Sequence, residues 1–175
     1  SGLPAAKGYS EASGIPFVFA FYKNSYIGRT FIKPTQEERE SSVHLKLSVL
    51  ESVVKDKRIV LVDDSIVRGT TIANLIHMLK EAGAKEVHVR ISSPPFLHPC
   101  YFGTDVPSND QLIAASHSTE EICKMIGADS LGYMQTDYLE GMAGGLPLCK
   151  ACFDGNYPME IPDYTSAEFA DIVKC

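Results

Sequence analysis

The feature that most constrains the fold is one strand–loop–helix–strand unit between Arg58 and Ile91. Its first segment, Arg58–Val62, is apolar after the first residue, as in a parallel strand covered on both faces. Apolar residues then recur with helical spacing, at Ile72, Leu75, Ile76 and Leu79. Val87–Ile91 alternates apolar and polar residues, which is typical of a half-covered strand. The unit predicts a parallel sheet whose ligand lies beyond the carboxyl ends of the strands.

The loop of this unit carries groups suited to a phosphorylated sugar. Asp63 and Asp64 follow the strand directly, and such carboxylates can accept hydrogen bonds from a vicinal diol. The loop amides, Gly69 and the amino end of the next helix can hold a phosphate. The alternative is that the aspartates only form a turn and that Thr70 or Thr71 only caps the helix. No lysine follows the glycine, so the loop is not of the Walker type.

The whole run Ile59–Thr71 resembles the phosphoribosyl pyrophosphate (PRPP) signature of type I phosphoribosyltransferases at every position. Residues 23–32, 81–95 and 126–131 resemble one branch of these enzymes, the amidophosphoribosyltransferase family. The resemblance extends from Ser1 to about Pro158. It implies an α/β fold, with a parallel sheet flanked by helices, a long flap loop and an irregular cysteine-bearing C-terminal region.

The family makes 5-phosphoribosylamine and pyrophosphate from PRPP and glutamine-derived ammonia, the first committed step of de novo purine synthesis. Its N-terminal glutaminase domain has no counterpart here. Ser1-Gly2 resembles the end of the family's pyrophosphate loop, so we expect a partial transferase domain over residues 1–158 that lacks its first strand. Residues 159–175 are expected to form a peripheral tail. The resemblance implies PRPP, ammonia and the glutaminase domain of the same enzyme as partners, and a homo-oligomer at full length.

The resemblance also assigns roles to individual residues. PRPP would be bound by Asp63, Asp64, Ser65, Ile66, Val67, Arg68, Gly69, Thr70, Thr71, Tyr26 and Thr30. Mg2+ would be held at Ser1, Asp63 and Asp64. Lys23 and Arg29 would be catalytic and, with Tyr26 and Thr30, lie on a flap predicted over Lys23–Ser42, after a strand predicted over Ile15–Tyr22. The family commonly has arginine where this chain has Ser25.

The cysteines suggest a second site. Cys149 and Cys152 have metal-ligand spacing, although one such pair also fits a redox pair, half a zinc site or coincidence. One subclass of the family holds a [4Fe-4S] cluster with four thiolates. By this resemblance Cys100, Cys149 and Cys152 would be three of its ligands, with the fourth outside this chain. Cys123 and Cys175 are expected to be ordinary thiols.

Composition narrows the classes of function. The chain has 175 residues and a net charge of −6, which argues against a nucleic-acid partner. No apolar run is long enough to span a membrane, and we expect a cytoplasmic protein with reduced thiols. Two alternatives stay open beside the transferase: a regulatory module that senses PRPP without turning it over, and a phosphoribosyltransferase that uses purine bases.

Overall fold

The computed structural model describes residues 2–23, 47–103 and 108–161. Its centre is a parallel sheet of three strands: β3 (Arg58–Asp63), β4 (Glu86–Ile91) and β5 (Ser130–Tyr133). Two shorter strands, β1 (Phe21–Lys23) and β2 (Leu47–Val49), form a separate antiparallel pair. The helices of the described part are α1 (Leu3–Ser13), α2 (Glu51–Val54), α3 (Thr70–Glu81), α4 (Ile113–Ser116), α5 (Thr119–Met125), α6 (Tyr138–Met142) and α7 (Ala151–Asp154). The α/β class predicted from the sequence is confirmed.

The strand–loop–helix–strand unit forms as its pattern predicts. β3 and β4 run parallel with Arg58 opposite Glu86 and Asp63 opposite Ile91. The helical stripe of α3 is buried at Ile72, Ile76 and Leu79, with Leu75 half-buried. This stripe packs in one core with Val87, Val89 and Ile91 of β4, with Ile122 of α5 and with Ile126, which directly follows α5.

The outer face of the sheet is polar. The His88 ring lies 2.9 Å from a carboxylate oxygen of Glu86 and 2.9 Å from the Ser130 hydroxyl. Arg58 donates to Glu86 at 2.8 Å, and Arg90 donates to Ser130 at 3.1 Å. The alternation of polar and apolar residues therefore gives β4 one charged face and one buried apolar face, because successive side chains of a strand point to opposite sides of the sheet.

Strand β3 departs from its prediction. An apolar run suggested a strand covered on both faces, but every residue of β3 keeps some exposure. The physical reason is that, among the described residues, β3 pairs along one edge only, with β4. An apolar groove of about 700 Å³ runs along the other edge, between β3, α1 and residues 15–21. Phe19, 61% exposed, is one of several apolar side chains open to it.

The strand predicted over Ile15–Tyr22 is wrong for most of its length. Regular pairing covers only Phe21–Lys23, opposite Leu47–Val49. Pro16 has no N–H to donate, and residues 15–20 find no neighbouring strand within the described part of the chain. Apolar composition alone therefore does not make a strand here. The predicted flap lies almost wholly at residues 24–46, outside the described residues.

Candidate functional site

The acidic pair and the loop after it form one wall of a cavity at the carboxyl end of β3. The cavity has a volume of about 500 Å³ and is lined by residues 63–72. The predicted loop residues are therefore brought together: Asp63, Asp64, Ser65, Ile66, Val67, Arg68, Gly69, Thr70 and Thr71. Its position matches the rule that open parallel sheets bind ligands beyond the carboxyl ends of their strands.

The local sequence explains the turn that follows β3. The Asp64 N–H donates to Asp63 Oδ1 at 2.9 Å, and the Ser65 N–H donates to Asp64 Oδ1 at 3.1 Å. Each aspartate side chain thus accepts a hydrogen bond from the amide of the next residue, and these local bonds support the turn. Ile66, 3% exposed, anchors the loop in the hydrophobic core. The turn-forming and ligand-binding interpretations of the acidic pair are therefore compatible.

Gly69 joins the loop to α3 in a conformation that glycine adopts readily. Its φ is +82°, in the left-handed region. A Cβ at this position would lie 3.1 Å from Ile113 Cδ1, so the residue is constrained both by φ and by space. The amides of the first turn of α3 have no partners within the helix. They face the cavity end of the unit, where a dianion would find N–H donors and the positive end of the helix dipole.

The amino end of a second helix approaches the same place. Gly2 precedes α1, and a Cβ on it would lie 3.0 Å from the Val62 carbonyl oxygen and 3.1 Å from Asp63 Cα. The amino ends of α1 and α3 therefore both lie near the carboxyl end of β3. This close approach is a positional reason for glycine at residue 2, next to the predicted metal position Ser1, which lies outside the described residues.

Burial raises the pKa of Asp63 to about 6, and the neighbouring Asp64 carboxylate adds to the rise through a hydrogen bond and its charge. The hydrogen bond from the Asp64 backbone opposes it. A half-buried acid next to a second acid is an unfavourable arrangement unless a cation or a hydrogen-bond donor completes it. Perturbed carboxylates of this kind are concentrated at functional sites.

Arg68 has a partner that sequence patterns do not predict. Its Nη2 donates a hydrogen bond to Oε1 of Gln111, which lies 43 positions later on a 3-10 turn, Asn109–Gln111. No local motif connects the two residues, so pattern reasoning missed Gln111. Arg68 is held against a second segment of the chain.

The remaining predicted transferase residues are not tested. Lys23 ends β1 opposite Leu47, but its side chain is outside the described residues. Tyr26, Arg29 and Thr30 also lie outside them, together with Ser25.

The three cysteines assigned to a cluster lie in one region of the structure. The carbonyl of Cys152 accepts the Leu97 and His98 amides at 2.9 and 3.1 Å, which fixes α7 against the bend before Cys100. Burial raises the pKa of the Cys152 thiol, and the nearby Cys100 and Cys149 add to it. Cys149 is exposed. Among the described residues, no group of three or more His, Cys, Asp or Glu side chains is arranged to hold a metal ion.

Cys123 lies in a different environment, in α5. Its thiol donates to the Ala128 carbonyl at 3.3 Å, and burial raises its pKa. These contacts are those of a structural thiol. Cys175 lies outside the described residues. No helix of the described part is long and apolar enough to cross a membrane.

An acidic pair, a glycine-ended loop and a helix amino end at the edge of a parallel sheet define an α/β protein of the type that binds phosphorylated ligands. Comparison with known families makes this specific. The chain belongs to the phosphoribosyl transferase domain family, which it matches over residues 1–92. The match includes the whole unit from β3 to β4.

The relatives identify a branch of that family. Amidophosphoribosyltransferase of Pyrococcus horikoshii is 56% identical over 158 residues, which are 90% of this chain and 35% of that protein. The Synechococcus elongatus enzyme is 52% identical over 165 residues, covering 93% of this chain and 34% of the relative. The predicted resemblance is thus confirmed. This chain spans about a third of the length of these curated relatives.

Two solved structures of similar sequence have the same fold as this chain. Glutamine PRPP amidotransferase from Bacillus subtilis, complexed with ADP and GMP, superposes with a TM-score of 0.81 at 49% identity, covering 96% of this chain and 38% of that one. A structure described as the allosteric regulatory enzyme of purine biosynthesis gives a TM-score of 0.80 at 49% identity, with 97% and 38% covered. The fold predicted from the sequence is that of these enzymes.

Proposed function

We propose that this chain is the PRPP-binding, transferase portion of an amidophosphoribosyltransferase. In the reaction, ammonia attacks the anomeric carbon of PRPP, the bond to pyrophosphate breaks, and 5-phosphoribosylamine and pyrophosphate are released after loss of a proton. The observation that carries the proposal is the cavity of about 500 Å³ lined by residues 63–72 at the carboxyl end of β3. The identity with named amidophosphoribosyltransferases supports it.

Each part of the loop would meet one part of the substrate. Asp63 and Asp64 would accept the hydroxyls of the ribose diol. The amides of residues 65–69, the amino end of α3 and the hydroxyls of Ser65, Thr70 and Thr71 would bind the 5-phosphate. Such a site would accelerate the reaction by positioning the ribose and by stabilising the charge that develops in the transition state, since the protein forms no covalent bond to the substrate.

Mg2+ would be held by the same two carboxylates. The donor set fits this ion, which binds proteins through one or two carboxylates and completes its shell with water and substrate phosphates. The raised pKa of Asp63 also fits, because a nearby cation would offset the repulsion between the two acids. When bound, Mg2+ supplies charge that stabilises the departing pyrophosphate. Ser1 is a further proposed contact.

We also propose Lys23 and Arg29 as catalytic cations, and Tyr26 and Thr30 as PRPP contacts, on residues that close over the substrate. Only the base of this segment is described. There β1 and β2 pair, so that Lys23 lies opposite Leu47. The two described residues that flank this segment are therefore neighbours, and next to this pair Ala20 accepts a hydrogen bond from Leu50 at 2.8 Å.

The [4Fe-4S] cluster stays a proposal for the longer protein. Cys100, Cys149 and Cys152 supply the correct donor chemistry, but the described residues include no group arranged to hold a single metal ion. We therefore assign no step of the reaction to a cluster. Iron and sulfide analysis of the full-length protein prepared without oxygen tests it, and the absence of both elements would refute it.

The longer protein would also supply the ammonia. We propose that an N-terminal glutaminase domain delivers it and that the full-length enzyme is a homo-oligomer. Besides the greater length of the relatives, the apolar groove along β3 supports burial against further polypeptide, because it leaves Val18 and Phe19 more than half exposed.

Ammonia-dependent release of pyrophosphate from PRPP tests the function. A transferase releases pyrophosphate when PRPP, Mg2+ and ammonia are all present, and not when any one is left out. A PRPP sensor would bind PRPP and release none. A base-using transferase would form nucleotide from adenine, guanine or hypoxanthine and would not respond to ammonia. The assay should be made on this chain and on the full-length protein.

A further inference from the structure

The phosphate loop is braced from outside the strand–loop–helix unit by residues 111–113. The N–H of Ile113 donates to the Val67 carbonyl at 2.9 Å. The side chain of Ile113 reaches the Cα of Gly69, where it would lie 3.1 Å from an added Cβ. Between these contacts, Gln111 accepts the hydrogen bond from Arg68. Three contacts therefore join two segments that are more than forty residues apart.

This second segment contains a fully buried side chain. Leu112 is 1% exposed and is one of the largest fully buried side chains of the described part. Its neighbour on one side is Gln111, and on the other is Ile113, which begins α4. Burial of Leu112 and the hydrogen bond from Ile113 to Val67 hold the backbone next to Gln111, so its side-chain amide extends from a defined point.

The chemistry of the partner matters as much as its position. Glutamine is neutral, so its Oε1 orients the guanidinium without cancelling its charge. None of the ion pairs among the described residues involves Arg68. A guanidinium has five N–H donors, and the bond to Gln111 uses one. The rest of the fork, which matches phosphate oxygens well, stays available beside the loop.

We infer that Gln111 is a positioning residue for the 5-phosphate site: it holds the Arg68 guanidinium at the loop, ready to bind phosphate oxygens. The inference rests on the proposed function, because it assumes that a ribose 5-phosphate occupies the loop. Gln111 itself need not touch the ligand. Its effect passes through Arg68, since a restrained long side chain loses less rotamer freedom when the ligand binds.

The test is a double-mutant cycle on binding of PRPP with Mg2+ to the full chain, measured by isothermal titration calorimetry. Gln111→Met keeps the length of the side chain and removes the acceptor. We expect it to weaken PRPP binding about three- to tenfold, the effect of one oriented hydrogen bond. In a chain that already carries Arg68→Ala, adding Gln111→Met should not change the affinity for PRPP any further. Gln135→Met, at an exposed glutamine outside the cavity lining, is the matched control and should bind like the parent chain.

Thermal unfolding of each variant separates positioning from folding. Gln111→Met should unfold at the temperature of the parent chain, and Gln111→Ala serves as the second variant if methionine disturbs the surface. An unchanged affinity in Gln111→Met, or the same loss in both backgrounds, would overturn the inference and leave the proposed function standing. If the parent chain itself does not bind PRPP, the proposed function fails and the inference fails with it.

Discussion

Replacing Asp63 with asparagine should stabilise the protein at neutral pH. Burial raises the pKa of this carboxyl from 3.8 to about 6, so its ionised form is disfavoured in the folded state. Asparagine keeps the shape and an oxygen that can accept the 2.9 Å hydrogen bond from the Asp64 amide. It removes the charge that burial and Asp64 make unfavourable.

The size of the effect follows from the shift. A rise in the pKa from 3.8 to about 6 corresponds to about 3 kcal/mol, since each pKa unit is worth about 1.36 kcal/mol. Asp63 keeps substantial exposure, and solvent screening reduces this figure to about 1–2 kcal/mol. The sign is set by proton binding: between pH 3.8 and 6 the folded state holds the proton more tightly than the unfolded state. The ionised Asp63 carboxylate therefore destabilises the folded state by the full amount above pH 6, and this destabilisation disappears as the pH falls towards 4.

Urea denaturation followed by far-ultraviolet circular dichroism measures the free energy of unfolding between pH 4 and 7.5. At pH 7 the free energy of unfolding of Asp63→Asn should be about 1–2 kcal/mol higher than that of the parent chain, and this difference should shrink towards zero near pH 4. Asp129→Asn is a control of opposite sign. The Val87 amide and Lys80 lower the pKa of Asp129, so its loss should cost stability at pH 7 and less in acid. A difference at Asp63 that is absent at pH 7, or constant with pH, would refute the electrostatic account.

Three further predictions, two of them with a matched comparison variant, test separate parts of the structure. Tyr133→Phe should leave stability unchanged or raise it by up to about 1 kcal/mol, because the buried Tyr133 hydroxyl has no hydrogen-bond partner among the described residues. Tyr157→Phe should lose about 1 kcal/mol of stability, because it removes the 2.8 Å hydrogen bond to the Pro99 carbonyl. Equal losses for the two variants in thermal or urea unfolding would contradict this reasoning. Gly69→Ala should lower stability by about 1–2 kcal/mol, because residue 69 has a positive φ, and it should also weaken PRPP binding. Gly141→Ala is the control, because residue 141 has open space around it. If Gly69→Ala changed neither stability nor binding, the loop would not be constrained at that residue. Arg29→Ala should lower ammonia-dependent pyrophosphate release and leave the unfolding temperature unchanged, and full activity would remove Arg29 from the proposed catalytic cations.

Much of the site could be predicted because its information is local. An apolar strand, two aspartates, a glycine and a periodic helix follow one another within 58–81, and hydrogen bonds between adjacent residues, such as Asp64 to Asp63, form the turn. The stripe of α3 faced the core because its spacing matches the helical period.

The failures have a common cause, since they depend on partners distant in sequence. Ile15–Ala20 has the composition of a strand, but pairing depends on a neighbour that the described residues do not provide. The half-exposure of β3 has the same origin. Gln111 belongs to the site only because the chain returns to the loop, where Ile113 bonds to Val67, and no spacing rule predicts a contact over 43 positions.

The central claim is that the loop after β3 binds PRPP. Backbone amide NMR of the ¹⁵N-labelled chain, titrated with PRPP and Mg2+, tests it most directly. The account predicts saturable shifts concentrated at residues 63–72 and at Gln111, reproduced in part by ribose 5-phosphate and weakened by Gly69→Ala. Shifts that are absent, or that centre on the outer sheet face around His88 and leave the loop unchanged, would contradict it.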